Sequence, residues 1–247
     1  MKRTIETYGK NGVLEITGNP QETILYLRDK PIQYSWYAEV GSIWRYHIAQ
    51  GLYNQAVTIN ESMECLLKRG IENKEDFLAI TEYFNRFFKY GKYEYGYYEM
   101  FKDISWIAIP ENENYKSFDH YGGGVDITPT QNSIKDELVQ EYKEQILSGK
   151  RPVIVLLHIE NSWMFYVMDG HHKFRAYQKA KIKPYAIIIT KLKNSYKSIE
   201  ETIELAKKMN CTDEEYFKRM IQEKKNVKYY KNKKLNLEET FKRIILK

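Results

Sequence analysis

The residues with the clearest capacity for chemistry form one turn, Asp169-Gly170-His171-His172-Lys173, with Arg175 two positions further on. An apolar run typical of a strand ends at this turn, and a helical pattern begins at about His171. A helix that starts directly after a strand exposes free backbone N–H groups and the positive end of its dipole, and anions bind such ends readily. Lysine, arginine and histidine side chains add charge-assisted donors. The turn is therefore predicted to hold the phosphate of a ligand.

The predicted contacts with phosphate come from most of this turn. Gly170 would let a ligand approach the main chain closely, because it carries no side chain. The donors that we expect to meet phosphate are His171, His172, Lys173 and Arg175.

The same turn has a structural interpretation that the sequence leaves open. Asp169 could simply cap the following helix, since aspartate is a favoured N-cap residue. The two histidines would then be ordinary polar residues of the first helical turn, and Lys173 and Arg175 would be solvated. A metal site built from Asp169 and both histidines is disfavoured, because adjacent residues of a helix point about 100° apart.

Regular elements on both sides of the turn must position it. Ser133 and Asp136 resemble a capping pair, and a helical stripe of apolar residues follows. Two strands joined at Asn161-Ser162 then form a hairpin that ends at the turn, a short helix follows it, and Pro184 introduces a third strand. The predicted order is helix, strand, strand, helix, strand. The apolar positions that support this order are Ile134, Leu138, Tyr142 and Ile146 in the helix, 153–157 and 163–168 in the hairpin, Phe174 and Tyr177 in the short helix, and 185–190 in the third strand.

Residues 131–190 resemble the ParB/sulfiredoxin superfamily over about a quarter of the chain. The resemblance lies in Pro-Val-Ile-Val-Leu, in Tyr-Val-Met-Asp-Gly-His-His-Lys-Phe-Arg-Ala and in Pro-Tyr-Ala-Ile-Ile. Members place a helix before a hairpin, and the hairpin ends in a Gly-x-x-[Arg/Lys]-x-x-Ala turn that contacts nucleotide phosphates. Gly170, Lys173 and Ala176 fit that spacing.

Differences from two branches of the superfamily limit which activities the resemblance implies. Sulfiredoxins have a catalytic cysteine directly after the turn glycine, where this chain has His171. ParB partition proteins have Glu-Arg-Arg at positions 171–173, together with a DNA-reading helix-turn-helix that is not recognisable here. The Asp-Gly-His-His form is more similar to branches that resemble small-molecule kinases.

Those kinase-like branches imply roles for individual residues. Lys173 and Arg175 would bind the phosphates of ATP or CTP, and Asp169 would act as a base or as a ligand of Mg²⁺. His172 would donate to phosphate or transfer a proton, because an imidazole titrates near neutral pH. Gln131 would line the nucleotide pocket. Asp126 and Glu137 are further carboxylate candidates, although a loop residue and a helix-surface residue are the simpler interpretations.

The whole chain is predicted to be α+β, with a ParB/sulfiredoxin-like module preceded by an antiparallel sheet plus helices and followed by a basic helical tail. The polar, Gly-rich segment 111–124 is the best candidate for a boundary, and it predicts units at 1–115, 116–192 and 193–247. Gly122-Gly123-Gly124 could cradle a phosphate, but a linker is the simpler account because no phosphate-loop motif follows.

Charge is concentrated at the C-terminal end of the chain. Residues 1–192 contain equal numbers of basic and acidic side chains, so the formal net charge of +6 lies in 193–247. Lys224 to Lys234 contains six lysines and no acid, and it could contact nucleic acid. Solvated lysines on a helix face explain the tail as well.

The sequence contains no apolar run near the roughly 20 residues of a spanning helix, and Glu6 precedes any signal-like core. A cytoplasmic protein without a membrane partner is therefore expected. The predicted function is nucleotide binding, with phosphoryl transfer to a small-molecule acceptor or nucleotide-gated switching. The alternative is a non-catalytic protein that binds nucleic acid or a protein partner through its tail.

Overall fold

The structure is a computed structural model, and it describes residues 1–9, 11–40, 43–50, 58–100, 104–109, 113, 115–120, 125–131, 133–162 and 164–209. The described chain is α+β, with helices packed around two sheets. In chain order the elements are β1 (Lys2–Thr7), β2 (Leu14–Gly18), β3 (Glu22–Leu27), β4 (Lys30–Val40), β5 (Ile43–Gln50), α1 (Glu61–Arg69), α2 (Lys74–Asn85), β6 (Gly91–Glu99), β7 (Ile104–Trp106), β8 (Tyr115–His120), β9 (Val125–Pro129), α3 (Asp136–Leu147), β10 (Val153–Ile159), β11 (Met164–Asp169), α4 (His171–Ala180), β12 (Tyr185–Lys191) and α5 (Ile199–Lys208).

The larger sheet is mixed and has seven strands in the order β1-β6-β12-β10-β11-β9-β7. Its centre is the antiparallel hairpin of β10 and β11, with β12 parallel to β10 and β9 parallel to β11. The elements α3, β10, β11, α4 and β12 follow one another in the predicted order of helix, strand, strand, helix, strand.

Strand β10 is buried along its whole length because both of its faces are covered. Val155 and Leu157 lie in the core that this sheet shares with the second sheet and with α1 and α2. Ile154 and Leu156 point to the opposite face, where they share a core with Phe174 of α4. A central strand with two covered faces needs a continuous run of apolar, mostly β-branched residues, as the sequence predicts.

The second sheet is antiparallel and has five strands in the order β2-β3-β4-β5-β8. One face contributes Ile16 and Leu25 to the core shared with the seven-stranded sheet. The other face carries Trp36, which packs with Leu205 and Met209 at the end of α5. The first part of the predicted basic tail is thus a helix docked on this sheet.

Sheet pairing crosses the predicted boundary at residue 115. Strands β1 and β6 lie within the predicted first unit, yet β6 pairs with β12 in the same sheet as the central hairpin. All of strand β8 except Tyr115 lies within the predicted second unit, but the strand pairs with β5 of the other sheet. The two predicted units therefore share both sheets and one core.

Two predicted features fall on residues that the structure does not describe, namely the lysine-rich segment Lys224 to Lys234 and the glycines at 122–124. Across the described ranges, no helix is both long and apolar enough to span a membrane.

Candidate ligand-binding cleft

The predicted phosphate turn lies where β11 passes directly into α4. Gly170 is the N-cap of α4 in a left-handed conformation, with φ 98° and ψ 29°, and no side chain caps the helix. The first intrahelical bond joins the Phe174 N–H to the Gly170 carbonyl at 2.8 Å. The backbone N–H groups of residues 171–173 precede that bond, so they have no acceptor within the helix.

Gly170 is needed for a reason that differs from the expected one. A Cβ at this position would lie 2.7 Å from Cγ2 and 3.1 Å from Cα of Ile154, and the positive φ also disfavours any side chain. The glycine lets α4 start close to β10. Ile154 fills the space that a side chain would need, so packing alone requires the glycine. Gly170 also lines the cleft described below, and its contact with phosphate stays a prediction.

Asp169 and Lys173 form an ion pair inside the turn. The Lys173 ammonium donates to Asp169 Oδ2 at 2.6 Å and to the Val153 carbonyl at 3.2 Å. The lysine side chain is 4% exposed and the aspartate side chain 22% exposed. Asp169 therefore does not cap α4 and Lys173 is not solvated, so that structural interpretation is wrong for both residues. Lys173 is equally not an unpaired cation aimed at a ligand.

His171 is buried, and its Nε2 accepts the Thr130 backbone N–H at 3.1 Å. Because Nε2 accepts, the neutral ring carries its proton on Nδ1. Burial, reinforced by His172 and Lys173, lowers the pKa of His171 to about 3. The uncharged His171 ring therefore holds the Thr130 backbone in place, directly after β9.

His172 fixes the other end of the same segment. Its half-buried ring accepts the Lys135 backbone N–H at Nε2, at 3.0 Å. Burial, with a contribution from the positive charge of Lys135, lowers its pKa below the usual range. His172 could not accept a proton at Nε2 without losing this hydrogen bond. Its Nδ1–H group remains able to donate to a ligand.

The start of α3 depends on this histidine rather than on its own cap. The predicted capping pair of Ser133 and Asp136 is wrong, because the helix begins at Asp136 and its N-cap, Lys135, makes no side-chain capping bond. The Lys135 backbone N–H is satisfied by His172 instead. Thr130 and Lys135, the two ends of the connector 130–135, are thus both hydrogen-bonded to the first turn of α4.

A cleft of about 480 Å³ opens beside the turn, between α1, α3, the start of α4 and the second sheet. Its apolar part is formed by Leu14, Leu25, Leu27 and Ile32, with Leu138 and Tyr142 contributed by α3. The turn residues from Asp169 to Lys173 supply the polar part. Gln131 also lines the cleft, as the resemblance implies.

Ion pairs surround Tyr142 in this cleft. Lys68 of α1 contacts Glu141 at 2.5 Å, and the Lys68 and Lys173 ammonium groups lie 5.7 and 6.0 Å from the Tyr142 ring centroid. Burial, together with the negative charges of Asp169, Glu64 and Glu141, raises the pKa of Tyr142 to about 12. The tyrosine therefore remains protonated and can donate a hydrogen bond.

Three other sequence candidates lie away from the cleft lining. Arg175 donates to Gln178 Oε1 at 2.8 Å and lies 5.9 Å from the Trp106 ring, so its predicted contact with phosphate is not supported by its position. Asp126 is buried in β9 beside Tyr46, and the two side chains interact. Glu137 is exposed on α3.

Asp169 offers a single carboxylate to a Mg²⁺ ion, and one of its oxygens lies 2.6 Å from an ammonium group. At nucleotide sites Mg²⁺ is usually held by one or two carboxylates together with waters and ligand phosphates, so a Mg²⁺ ion at Asp169 stays a prediction. Within the described part of the chain, no group of three histidine, cysteine, aspartate or glutamate side chains could hold a metal ion.

Several cleft residues could not be predicted as part of the site. Glu64, Lys68 and Glu141 belong to helix surfaces, and nothing in their sequence neighbourhoods marks them as functional. Tyr142 was predicted to lie on the apolar stripe of its helix. Among these four residues, only Tyr142 was marked by a sequence signal, namely that stripe.

Comparison with known proteins finds no matching protein-family model, no matching curated protein and no matching solved structure. The ParB/sulfiredoxin-like assignment therefore stays a prediction from the residues quoted above.

Proposed function

We propose that this is a nucleotide-binding protein of the ParB/sulfiredoxin-like kind, with the ligand in the cleft and a phosphate at the start of α4. The observation that carries the proposal is the uncapped start of α4 opening into a cleft that also has an apolar wall. A helix N-terminus favours an anion, and an apolar or aromatic wall favours a base and a sugar.

The dimensions and composition of the cleft agree with a ligand of this size. Small-molecule sites usually measure about 300–1,000 Å³ and combine apolar walls with a few polar groups. The cleft lies within that range at about 480 Å³. Tyr142 offers both a ring and a hydroxyl donor, and Gln131 adds an amide. ATP and CTP are the first nucleotides to test.

Phosphoryl transfer to a small-molecule acceptor is the catalytic form of the proposal. Asp169 is the carboxylate nearest the α4 start, and because Lys173 bonds its Oδ2, the other oxygen is the one that would accept a proton. Asp169→Asn keeps the shape and the reach towards Lys173 but removes the negative charge. We expect the variant to bind nucleotide at least as well as the wild type. Any phosphoryl transfer should fall by about two orders of magnitude or more.

Turnover of labelled ATP and CTP, measured beside binding, tests this prediction. A variant with the wild-type turnover rate would show that Asp169 serves only to hold Lys173.

A thermal-shift screen with nucleoside mono-, di- and triphosphates tests the binding proposal. A ligand at 100 times its Kd adds about 2.7 kcal/mol of stability, which gives a clear shift. Leu138→Trp places a large ring in the cleft from a partly exposed position on α3 and should abolish the shift. Leu147→Trp is the matched control, because Leu147 is exposed on the same helix but does not line the cleft.

Equal shifts in both tryptophan variants would place the ligand elsewhere, and no shift in the wild type would contradict nucleotide binding. The alternative, binding of DNA or a partner through Lys224 to Lys234, would then be tested directly. DNA affinity that depends on those lysines should fall steeply with salt, because counterions are released on binding.

A further inference from the structure

We propose that the cleft selects a ligand with a single phosphoryl group, so that a nucleoside monophosphate binds more tightly than the triphosphate of the same base. This inference rests on the proposed function and adds the charge class of the ligand. It follows from how the charged side chains of the cleft are paired.

The two lysines that line the cleft are both neutralised by neighbouring carboxylates. The Lys68 ammonium lies 2.5 Å from Glu141, and the Lys173 ammonium lies 2.6 Å from Asp169. A cation that already has a carboxylate partner attracts a second anion far less than an unpaired cation does. Sites for polyphosphates balance the negative charge of the ligand with an excess of positive side chains, and this cleft has no such excess.

The remaining charge in the lining is negative. Glu64 is a third carboxylate beside the two lysines, so the described charged side chains of the cleft carry one net negative charge. His171 and His172 add no positive charge near neutral pH, because each ring accepts a backbone N–H at Nε2. Each additional phosphoryl group would bring further negative charge towards these carboxylates.

The donors that remain suit one phosphoryl group. Three backbone N–H groups, those of residues 171–173, stand ahead of the first intrahelical bond of α4. A terminal phosphoryl group has three oxygens that can accept them. The next phosphoryl group of a chain would have to extend either towards the apolar wall or towards Tyr142, where Asp169, Glu64 and Glu141 lie close enough to raise the pKa of its hydroxyl.

Calorimetric titration of the full-length protein with AMP, ADP and ATP, and with CMP, CDP and CTP, tests the proposal. The buffer contains EDTA, so that no divalent cation neutralises the charge of the ligand. We expect the affinity to fall from mono- to di- to triphosphate, by on the order of threefold per added charge. A triphosphate that binds more tightly than its monophosphate in EDTA would overturn the inference while leaving the proposed function intact. Failure of every nucleotide to bind would contradict the proposed function itself.

Glu141→Gln adds a second, independent test because it releases Lys68 from its carboxylate partner. The variant should gain affinity for ATP by about threefold relative to AMP. Glu144→Gln is the control, since Glu144 is exposed on the same helix and does not line the cleft. An unchanged ratio of ATP to AMP affinity in Glu141→Gln would overturn the role assigned to this pairing.

Discussion

At the scale of single residues, the turn is held together by its own polar groups. Lys173 bonds Asp169 and the Val153 carbonyl, and the two histidines receive backbone N–H groups from the connector 130–135. The sequence predicted which residues form the turn, but not which groups their side chains bond. Those partners depend on where the connector passes, and no local pattern in the chain encodes its path.

The buried ammonium of Lys173 should matter for stability. Lys173→Met keeps the apolar stem but leaves the Asp169 carboxylate and the Val153 carbonyl without their donor. We expect the free energy of unfolding to fall by about 1–3 kcal/mol in urea denaturation. Lys179→Met is the matched control on the same helix, because Lys179 pairs with an exposed Asp136 and should change stability little. Equal losses in both variants would contradict the buried role of Lys173.

The neutral state of His171 predicts a dependence of stability on pH. Its pKa is about 3 in the folded protein and lies near 6.5 in an unfolded chain. Between these two pH values the unfolded state binds a proton that the folded state does not. The contribution of His171 to the free energy of unfolding is therefore fully present above about pH 6.5 and is lost as the pH falls towards 3.

His171→Gln keeps an acceptor near the Nε2 position but cannot be protonated. Between pH 6 and 4 the unfolding free energy of the variant should fall less steeply than that of the wild type, by up to about 1.4 kcal/mol per pH unit. Buried His158 has a similarly low pKa of about 3, and it contributes equally to both proteins. Parallel pH profiles would show that His171 does not titrate between the folded and unfolded states.

At the scale of elements, the passage from β11 to α4 depends on one close contact with β10. The sequence predicted both elements from their apolar periods, and the Asp-Gly step marked the turn between them. It could not show that Gly170 faces Ile154, because that contact joins the start of α4 to a residue of β10 far away in the sequence. Local patterns predict where elements begin and end, whereas the packing of one element on another requires the folded chain.

Gly170→Ala should be more destabilising than an alanine at another glycine with nearly the same positive φ. Gly149 provides that comparison, since its φ is 100° and a Cβ there would meet nothing within 4 Å. The Gly149 variant should lose only the conformational term of about 1–2 kcal/mol. Gly170→Ala should lose a further 1–3 kcal/mol, roughly, through the clash with Ile154. Equal losses in chemical denaturation would rule out the packing role.

At the scale of the whole molecule, the cleft joins parts of the chain that are far apart in sequence. Its apolar wall comes from β2, β3 and Ile32 of β4, its acidic side from α1 and α3, and its phosphate end from α4. The sequence predicted the α+β class and the elements around the turn. The cleft itself could not be predicted, because the two sheets share a core across the boundary that composition had suggested.

The most direct test of a phosphate at the start of α4 is an assigned ¹H–¹⁵N spectrum recorded during titration with a nucleotide and with its nucleoside. The nucleotide should shift the amide resonances of His171, His172 and Lys173 most strongly, because these N–H groups would donate to the phosphate. The nucleoside, which has the base and sugar but no phosphate, should leave those three resonances nearly unmoved while it shifts residues of the apolar wall. Nucleotide binding that leaves the amides of residues 171–173 unchanged would contradict the account.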